Sequence, residues 1–259
     1  MSDLAGRKAI VTGAAQGLGR AIALKLLAEG VDVVGVDLQE EKLAALRATL
    51  PEGGGRFVIS AGDLSRSATA QAAVAAAIAD SGPLDIVVNC AGGSGLRGVA
   101  GIEELDEDLW DSVIGANLRA TYLMCRAAVP HLRRSRHGRI VNFSSNLTRG
   151  VSGPLGTVGA RLAYCAAKGG IEAFTRQLAR DLLPDAITVN TIVPGFVLTE
   201  PGARVRDKFD QLDAAAQARL LGGRDLGNVA TPQDVADTVA YLVSDAARQV
   251  SGALIGVGV

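Results

Sequence analysis

The sequence predicts a doubly wound α/β fold, a parallel β-sheet covered by helices on both faces, in one domain spanning residues 1–259. Three observations carry this expectation. Short apolar, β-branched runs alternate with segments of helical period along the whole chain. Hydrophobic residues make up 48% of the 259 while aromatics are only 3%, so a large core can be built, chiefly from Ala, Val, Leu and Ile. No Pro- or Ser-rich linker, internal repeat or low-complexity tract divides the chain.

The elements follow in order. "KAIVT" (8–12) is a buried strand that runs into a Gly-rich turn, and residues 18–30 form a helix closing at Gly30, a C′ glycine. Residues 31–37 are a second strand and 40–50 a helix. A third strand (56–60) is followed by a helix over 68–82 that ends at glycine, and a fourth strand covers 84–89. One long helix covers about 107–128, with Trp110 near its start read as core. "GRIVNFSS" (138–145) is the fifth strand, 162–183 a helix and 187–195 the sixth strand, stopped by Pro-Gly. Thr231, Pro232 and Asp234 spell a capping box for the last helix, 231–244, and 252–257 is the last strand. Residues 196–228 show the least regular pattern, and a connection of that length in a small domain reads as a lid.

Composition narrows the function. The net charge of −1 provides no basic excess for a nucleic-acid backbone or an anionic membrane surface. No stretch approaches the ~18 apolar residues of a membrane span. The three cysteines, Cys90, Cys125 and Cys165, are scattered, and His131 and His137 lie far from any acid cluster, so neither a disulfide framework nor a metal site is expected. The opening residues carry no apolar run with a cleavage site, which leads us to expect a cytoplasmic location.

"TGAAQGLG" (12–19) sits where the first strand meets the first helix. Gly13 permits a tight turn, Gly17 lets the backbone approach a ligand, and Gly19 lets the helix pack on the strand. The helix N-terminus offers N–H groups and a positive dipole end to a pyrophosphate. Asp37 ends the second strand, placed to hydrogen-bond the adenosine ribose hydroxyls of NAD and to repel the 2′-phosphate of NADP. With Leu38 next to it and Gln16 on the turn, no nearby base offsets that repulsion. "GDLS" (62–65) places Asp63 for the adenine amino group, and the small residues of "NCAGG" (89–93) let the backbone lie along the cofactor.

With these motifs in this order, the sequence resembles the short-chain dehydrogenase/reductase family in its compact branch, over essentially the whole chain. The match runs through Thr12, Gly13, Gly17 and Gly19, then Asn89, Ala91 and Gly92, then Asn117 and Ser145. It continues with Tyr164-x-x-x-Lys168 and ends with Pro194, Gly195 and Thr199. The resemblance implies a Rossmann fold and a cofactor set of Gly13, Gln16, Gly17, Leu18, Gly19, Asp37, Asp63, Leu64, Asn89, Ala91, Gly92, Tyr164, Lys168, Pro194, Gly195, Val197 and Thr199. It implies catalysis by Asn117, Ser145, Tyr164 and Lys168, with NAD as cofactor and an alcohol/ketone pair as substrate. It further implies a homotetramer packed through the helices at 107–128 and 162–183.

The chemistry of the pair is legible on its own terms. Residues four apart share a helix face, so Tyr164 and Lys168 point the same way. A free phenol has a pKa of about 10 and a neighbouring ammonium lowers it, towards a usable acid–base group. By resemblance Tyr164 is the base in oxidation and the acid in reduction. Lys168 tunes it and binds the nicotinamide ribose, Ser145 orients the substrate oxygen, and Asn117 holds a proton-relay water through its backbone.

The sequence departs from the family in the 18 residues between Ser145 and Tyr164, an enlarged loop at 146–163 holding four glycines and a proline. Ser152 lies nearer the usual sequence distance from the tyrosine. Ser145 is preferred because it ends a strand, which fixes a side chain better than a Gly-rich loop. Arg149, Arg161, Arg204, Arg206 and Lys208 bring positive charge to the two loops. An NADPH-dependent ketoreductase, a non-catalytic dinucleotide-binding regulator and a sugar epimerase or dehydratase are the other readings.

Overall fold

Seven strands form one sheet in the order β3-β2-β1-β4-β5-β6-β7, and every neighbouring pair is parallel. The computed structural model describes residues 3–80, 82–95, 99, 101–150, 160–221 and 229–259. The strands are β1 (Lys8–Thr12), β2 (Asp32–Asp37), β3 (Phe57–Ala61), β4 (Ile86–Asn89), β5 (Arg139–Phe143), β6 (Thr188–Pro194) and β7 (Leu254–Val257). The chain lays down β1 to β3 on one side, then returns past β1 to begin β4 on the other. The exits of β1 and β4 thus form the switch point where ligands bind in such sheets.

Because the sheet is buried on both faces, its strands are apolar at successive positions rather than alternating with polar ones. Val11, Val33, Val88, Val141 and Phe143 pack on one face, with Ile22 and Leu26 of α1 (Gly17–Ala28), Leu43 and Leu46 of α2 (Glu40–Ala48), and Val235 and Val239 of α9 (Pro232–Val243). Ile10, Val34, Val87, Ile140 and Val189 pack on the other. Their partners are Ala70 and Val74 of α3 (Ser67–Ala77), Leu123 and Met124 of α5 (Ala120–Leu132), and Ala179 of α6 (Arg161–Asp181).

The expected caps are present. Gly30 takes φ +83°, its N–H donates to Leu27 O at 3.0 Å, and Val31 N–H reaches Leu26 O at 3.0 Å, which closes α1. Thr231 and Asp234 form the reciprocal capping box of α9. Other boundaries differ from the sequence expectation. α3 stops at Ala77, with Ile78 as its cap, so Gly82 does not end it. The long helix continues to Leu132 and is broken into α4 (Glu107–Ile114), a π turn (Gly115–Arg119) and α5. Such widened turns collect at functional sites. Trp110 is 40% exposed and does not join the core.

Among its described residues, the irregular stretch after β6 holds two short helices, α7 (Arg204–Asp210) and α8 (Ala214–Leu221). Val197 pairs with Ala230 in a parallel bridge, and Phe209 of α7 packs on Phe196 with ring centroids 5.4 Å apart. No helix among the described residues is long and apolar enough to cross a membrane.

A buried polar chain crosses the middle of the sheet. Asn89 Nδ2 donates to Asn142 Oδ1 at 2.8 Å, and Asn142 Nδ2 donates to Thr175 Oγ1 at 2.8 Å, joining β4, β5 and α6. Replacing Asn142 by Ala leaves a buried amide and a buried hydroxyl without this partner. We expect a loss of about 1–3 kcal/mol of stability, read as a lowered urea midpoint with unchanged slope. An unchanged midpoint would show that the chain adds nothing to stability.

Candidate active site

The turns that follow β1, β2, β4, β5 and β6 meet at the carboxyl edge of the sheet. In the turn between β1 and α1, Gly13 and Gly17 have φ of +70° and +58°, a region costing a residue with a Cβ about 1–2 kcal/mol. A Cβ on Gly13 would stand 3.0 Å from the Ala91 Cα, so this turn and the exit of β4 are in backbone contact. Ala91 N–H also donates to the Thr12 hydroxyl at 3.0 Å, tying the two exits together. Gln16 caps α1 with extended backbone and no side-chain bond to the helix, which leaves the helix's first N–H groups for another acceptor. One acceptor is Glu200: Gly17 N–H donates to its Oε1 at 2.8 Å. A carboxylate thus occupies a position where backbone donors and the helix dipole favour an anion.

Asp37 at the end of β2 accepts from the N–H groups of Ala15 and Gln39, each at 3.1 Å, which fixes its charge beside the turn. The sequence expectation of no nearby base needs correction. α2 folds back along the sheet edge, and its Lys42 reaches Gln16, Nζ to Oε1 2.7 Å. After β3, the Asp63 carboxylate accepts from Ser65 N–H at 2.9 Å, and the Ser65 hydrogen bonds hold it below the usual carboxylate range. The Leu64 side chain is buried in the core on one face of the sheet, and Leu18 packs partly buried against the core on the other. Asn89 is buried and engaged with Asn142 and Cys125, so its side chain supports the sheet, and the Ala91–Gly93 backbone lies beyond it.

Past β6, Gly195 N–H donates to Val257 O at 2.9 Å, next to Pro194. Val197 and Thr199 are buried, and the Thr199 hydroxyl accepts from Arg206 N–H at 3.2 Å. The Thr199 methyl lies 3.4 Å from where a Cβ on Gly17 would be, which closes this exit against the glycine turn.

The four residues expected to be catalytic converge. Asn117 lies at the centre of the π turn, fully buried, and its amide brackets Gly93: Gly93 N–H donates to Oδ1 at 3.1 Å, and Nδ2 donates to Gly93 O at 2.9 Å. Nδ2 also bonds Val113 O at 2.8 Å. Ser145 is buried just beyond β5, its hydroxyl accepts Leu147 N–H at 3.3 Å, and it stands close enough to the Tyr164 phenol to favour the phenolate. Ser152 lies outside the described residues. Lys168, one turn after Tyr164 on α6, is buried with its Nζ 5.6 Å from the centroid of the Tyr164 ring.

The electrostatics differ from the sequence expectation. Burial pushes the Tyr164 phenol up to about 12, against the pull of the Ser145 hydrogen bond and the charge of Arg204. Burial likewise lowers the Lys168 ammonium to about 8, opposed by Cys90 and reinforced by Arg204. Desolvation dominates the phenol, and the Lys168 Nζ donates to Phe143 O at 2.8 Å.

Sequence reasoning overlooked a brace beneath this group. Glu172 accepts from Ser144 Oγ at 2.7 Å and from Thr148 Oγ1 at 3.0 Å, holding the 3-10 turn (Asn146–Arg149) that follows Ser145. Its signal was available, since residue 172 is one turn past Lys168 on the same helix face. Glu200 and Lys42 had no such signal, because both act across long sequence separations.

These residues fit a nicotinamide dinucleotide. The glycine turn keeps its backbone open where a Cβ would intrude, α1 presents its N-terminus without a side-chain cap, and a fixed carboxylate stands at the end of β2. Comparison with known proteins agrees. The family model described as enoyl-(acyl carrier protein) reductase matches residues 13–258. The chain is 36% identical over 248 residues to the short-chain reductase protein NovJ of Streptomyces niveus, covering 96% of this chain and 89% of that one. It is 36% identical over 250 residues to D-threitol dehydrogenase of Mycolicibacterium smegmatis, covering 96% and 90%. A solved short-chain type dehydrogenase/reductase from Mycobacterium ulcerans superposes with a TM-score of 0.86 at 28% identity, covering 99% of this chain and 90% of that one. With its parallel seven-stranded sheet and the motifs at its carboxyl edge, the chain belongs to the short-chain dehydrogenase/reductase family, oxidoreductases that bind nicotinamide dinucleotides.

Proposed function

We propose that this protein is an NAD-dependent oxidoreductase that interconverts a secondary alcohol and a ketone, working as one catalytic unit with residues 196–228, of which 222–228 lie outside the described residues, as its substrate lid. The observation that carries the reading is the pairing of Tyr164 with Lys168, Nζ 5.6 Å from the ring centroid, in the same cleft as the glycine turn and Asp37. The relatives support both directions, one being named a dehydrogenase and another a reductase.

Nicotinamide, when bound, supplies the hydride acceptor or donor. The chain's own residues do the rest. The N–H groups at the start of α1 receive the pyrophosphate, Glu200 yielding Gly17 N–H to it. Asp37 holds the adenosine ribose hydroxyls, and Asp63 and the Ala91–Gly92 backbone line the adenosine side. Ser145 orients the substrate oxygen. Tyr164 takes the hydroxyl proton in oxidation and returns one in reduction, Lys168 holds the nicotinamide ribose, and Asn117 begins the proton path to solvent. A homotetramer built through α4, α5 and α6 would cover the exposed Trp110, Tyr122 and Leu162.

A second reading rests on Lys42. Its ammonium on the rim of the turn is a potential partner for a 2′-phosphate, which would make the enzyme an NADPH-dependent ketoreductase.

Three outcomes are expected. Fluorescence titration should show NADH binding at least about tenfold more tightly than NADPH. Replacing Asp37 by Ala should narrow that gap, whereas tighter NADPH binding that is lost in Lys42→Ala would establish the second reading. Tyr164→Phe should lower kcat for alcohol oxidation by about 10²–10⁴-fold while NADH affinity stays the same. Retained activity would remove Tyr164 from the chemistry, and a wild type that binds NADH but turns over no secondary alcohol or ketone would favour a regulator. Because burial raises the phenol to about 12, its base form grows with pH. Alcohol oxidation should therefore climb through the alkaline range while ketone reduction does not, as initial rates in both directions will show.

A further inference from the structure

The first residue of α7 brings a cation to the reacting end of the cleft. Arg204 reaches back over the exit of β4, and its Nη2 donates to Gly92 O at 3.0 Å. Its guanidinium lies against Gly93, where a Cβ would stand 2.7 Å from Cζ. Lys168 approaches the same dipeptide, its Nζ 3.4 Å from where a Cβ on Gly92 would be. Two cations thus border Gly92–Gly93 beside Tyr164. Lys208, one turn along α7 and half-buried, makes a third, and both its ammonium and that of Lys168 are lowered by burial and by the charge of Arg204.

No carboxylate among the described residues pairs with Arg204 or Lys208. The nearby acids are engaged elsewhere: Asp210 with Arg206, Asp207 with Gly202 N–H, and Glu200 with Gly17 N–H. Like charges gathered in a partly buried cleft repel, and an anion placed among them turns that repulsion into charge-assisted hydrogen bonds. Arg206, by contrast, is matched by its own carboxylate and has no such role.

We propose that Arg204, with Lys208 behind it, binds an anionic group carried by the substrate, which makes the substrate a hydroxy acid or its keto acid rather than a neutral alcohol. This rests on Tyr164 as the acid–base group, since the anion site lies beside it. Arg204 here is a specificity-determining residue. One of its N–H groups is held by Gly92 O, which aims the planar fork, and the remainder meet a carboxylate in pairs.

The test compares acids with their neutral isosteres: lactate, 3-hydroxybutyrate and 4-hydroxyvalerate, each against its carboxamide, in the wild type, Arg204→Gln and Arg204→Lys. We expect one acid to exceed its amide by at least about tenfold in kcat/KM. Arg204→Gln should lower that acid by about 10- to 100-fold, chiefly through KM, with the amide nearly unchanged and Arg204→Lys partly restoring the acid. Equal losses for acid and amide, or no acid preference at any chain length, would overturn the proposal. So would weaker NADH binding in Arg204→Gln without substrate, which would assign the cation to the cofactor's own phosphates. Calorimetry with malonate on the NADH-loaded protein separates this from the oxidoreductase reading. Malonate binding that is lost in Arg204→Gln, without turnover of any alcohol, would keep the anion site and reject the reaction, whereas no malonate binding to the wild type would reject the site.

Discussion

The chain of buried amides from Asn89 through Asn142 to Thr175 holds the site to the sheet. It runs across the sheet from the exit of β4 to that of β5 and on into α6. Most of the reacting end hangs from one of those three elements: Gly92 and Gly93 from β4, Ser145 from β5, Tyr164 and Lys168 from α6, with Asn117 and Arg204 reaching it from the π turn and α7. Parallel strands alone would fix the spacing of their ends to within the play of the backbone ladder. A side-chain amide that must face its partner in one orientation, deep in apolar surroundings, removes much of that play. Cβ positions at the strand exits are thereby set before any ligand arrives.

Burial then sets the electrical character of the cleft. It opposes charge on both members of the tyrosine–lysine pair, raising the phenol and lowering the ammonium. Countering this are the Ser145 hydroxyl at the phenol and Cys90 at the ammonium. The protein arrives with a protonated phenol and an ammonium close to its titration range. Proton transfer is therefore governed by local hydrogen-bond partners and added charge more than by the intrinsic acidity of either group.

The fold was largely legible in the sequence, and the structure brings the expected residues of the candidate site together at the carboxyl edge of the sheet. Strand and helix periods, the Gly30 and Thr231 caps and the glycine turn are local signals, and each stands where local rules put it. The misread features are those decided at a distance. Trp110 looked like core because it is apolar, but its side of α4 faces outward. The π turn at Asn117 interrupts a segment whose composition is helical throughout, so nothing in its period marks it. Lys42 reaches the turn only through the packing of α2, and Glu200 crosses 183 positions to meet Gly17. Pair spacing alone suggested that Lys168 would acidify Tyr164, since spacing says nothing about how dry the pair would be.

The carboxylate of Glu200 on Gly17 N–H changes what affinity measures in this protein. A turn facing only water would bind an anion with the full attraction of its donors, less their hydration. An anion bound there would replace another that is already paired. Its association would report a difference between two anionic partners, and would release a tethered acid at the head of the segment carrying Arg204. The displaced carboxylate returns at an effective concentration set by the chain, not by the solution. That makes ligand departure and segment docking a single competition, with the resting state held in order by a group belonging to the protein itself.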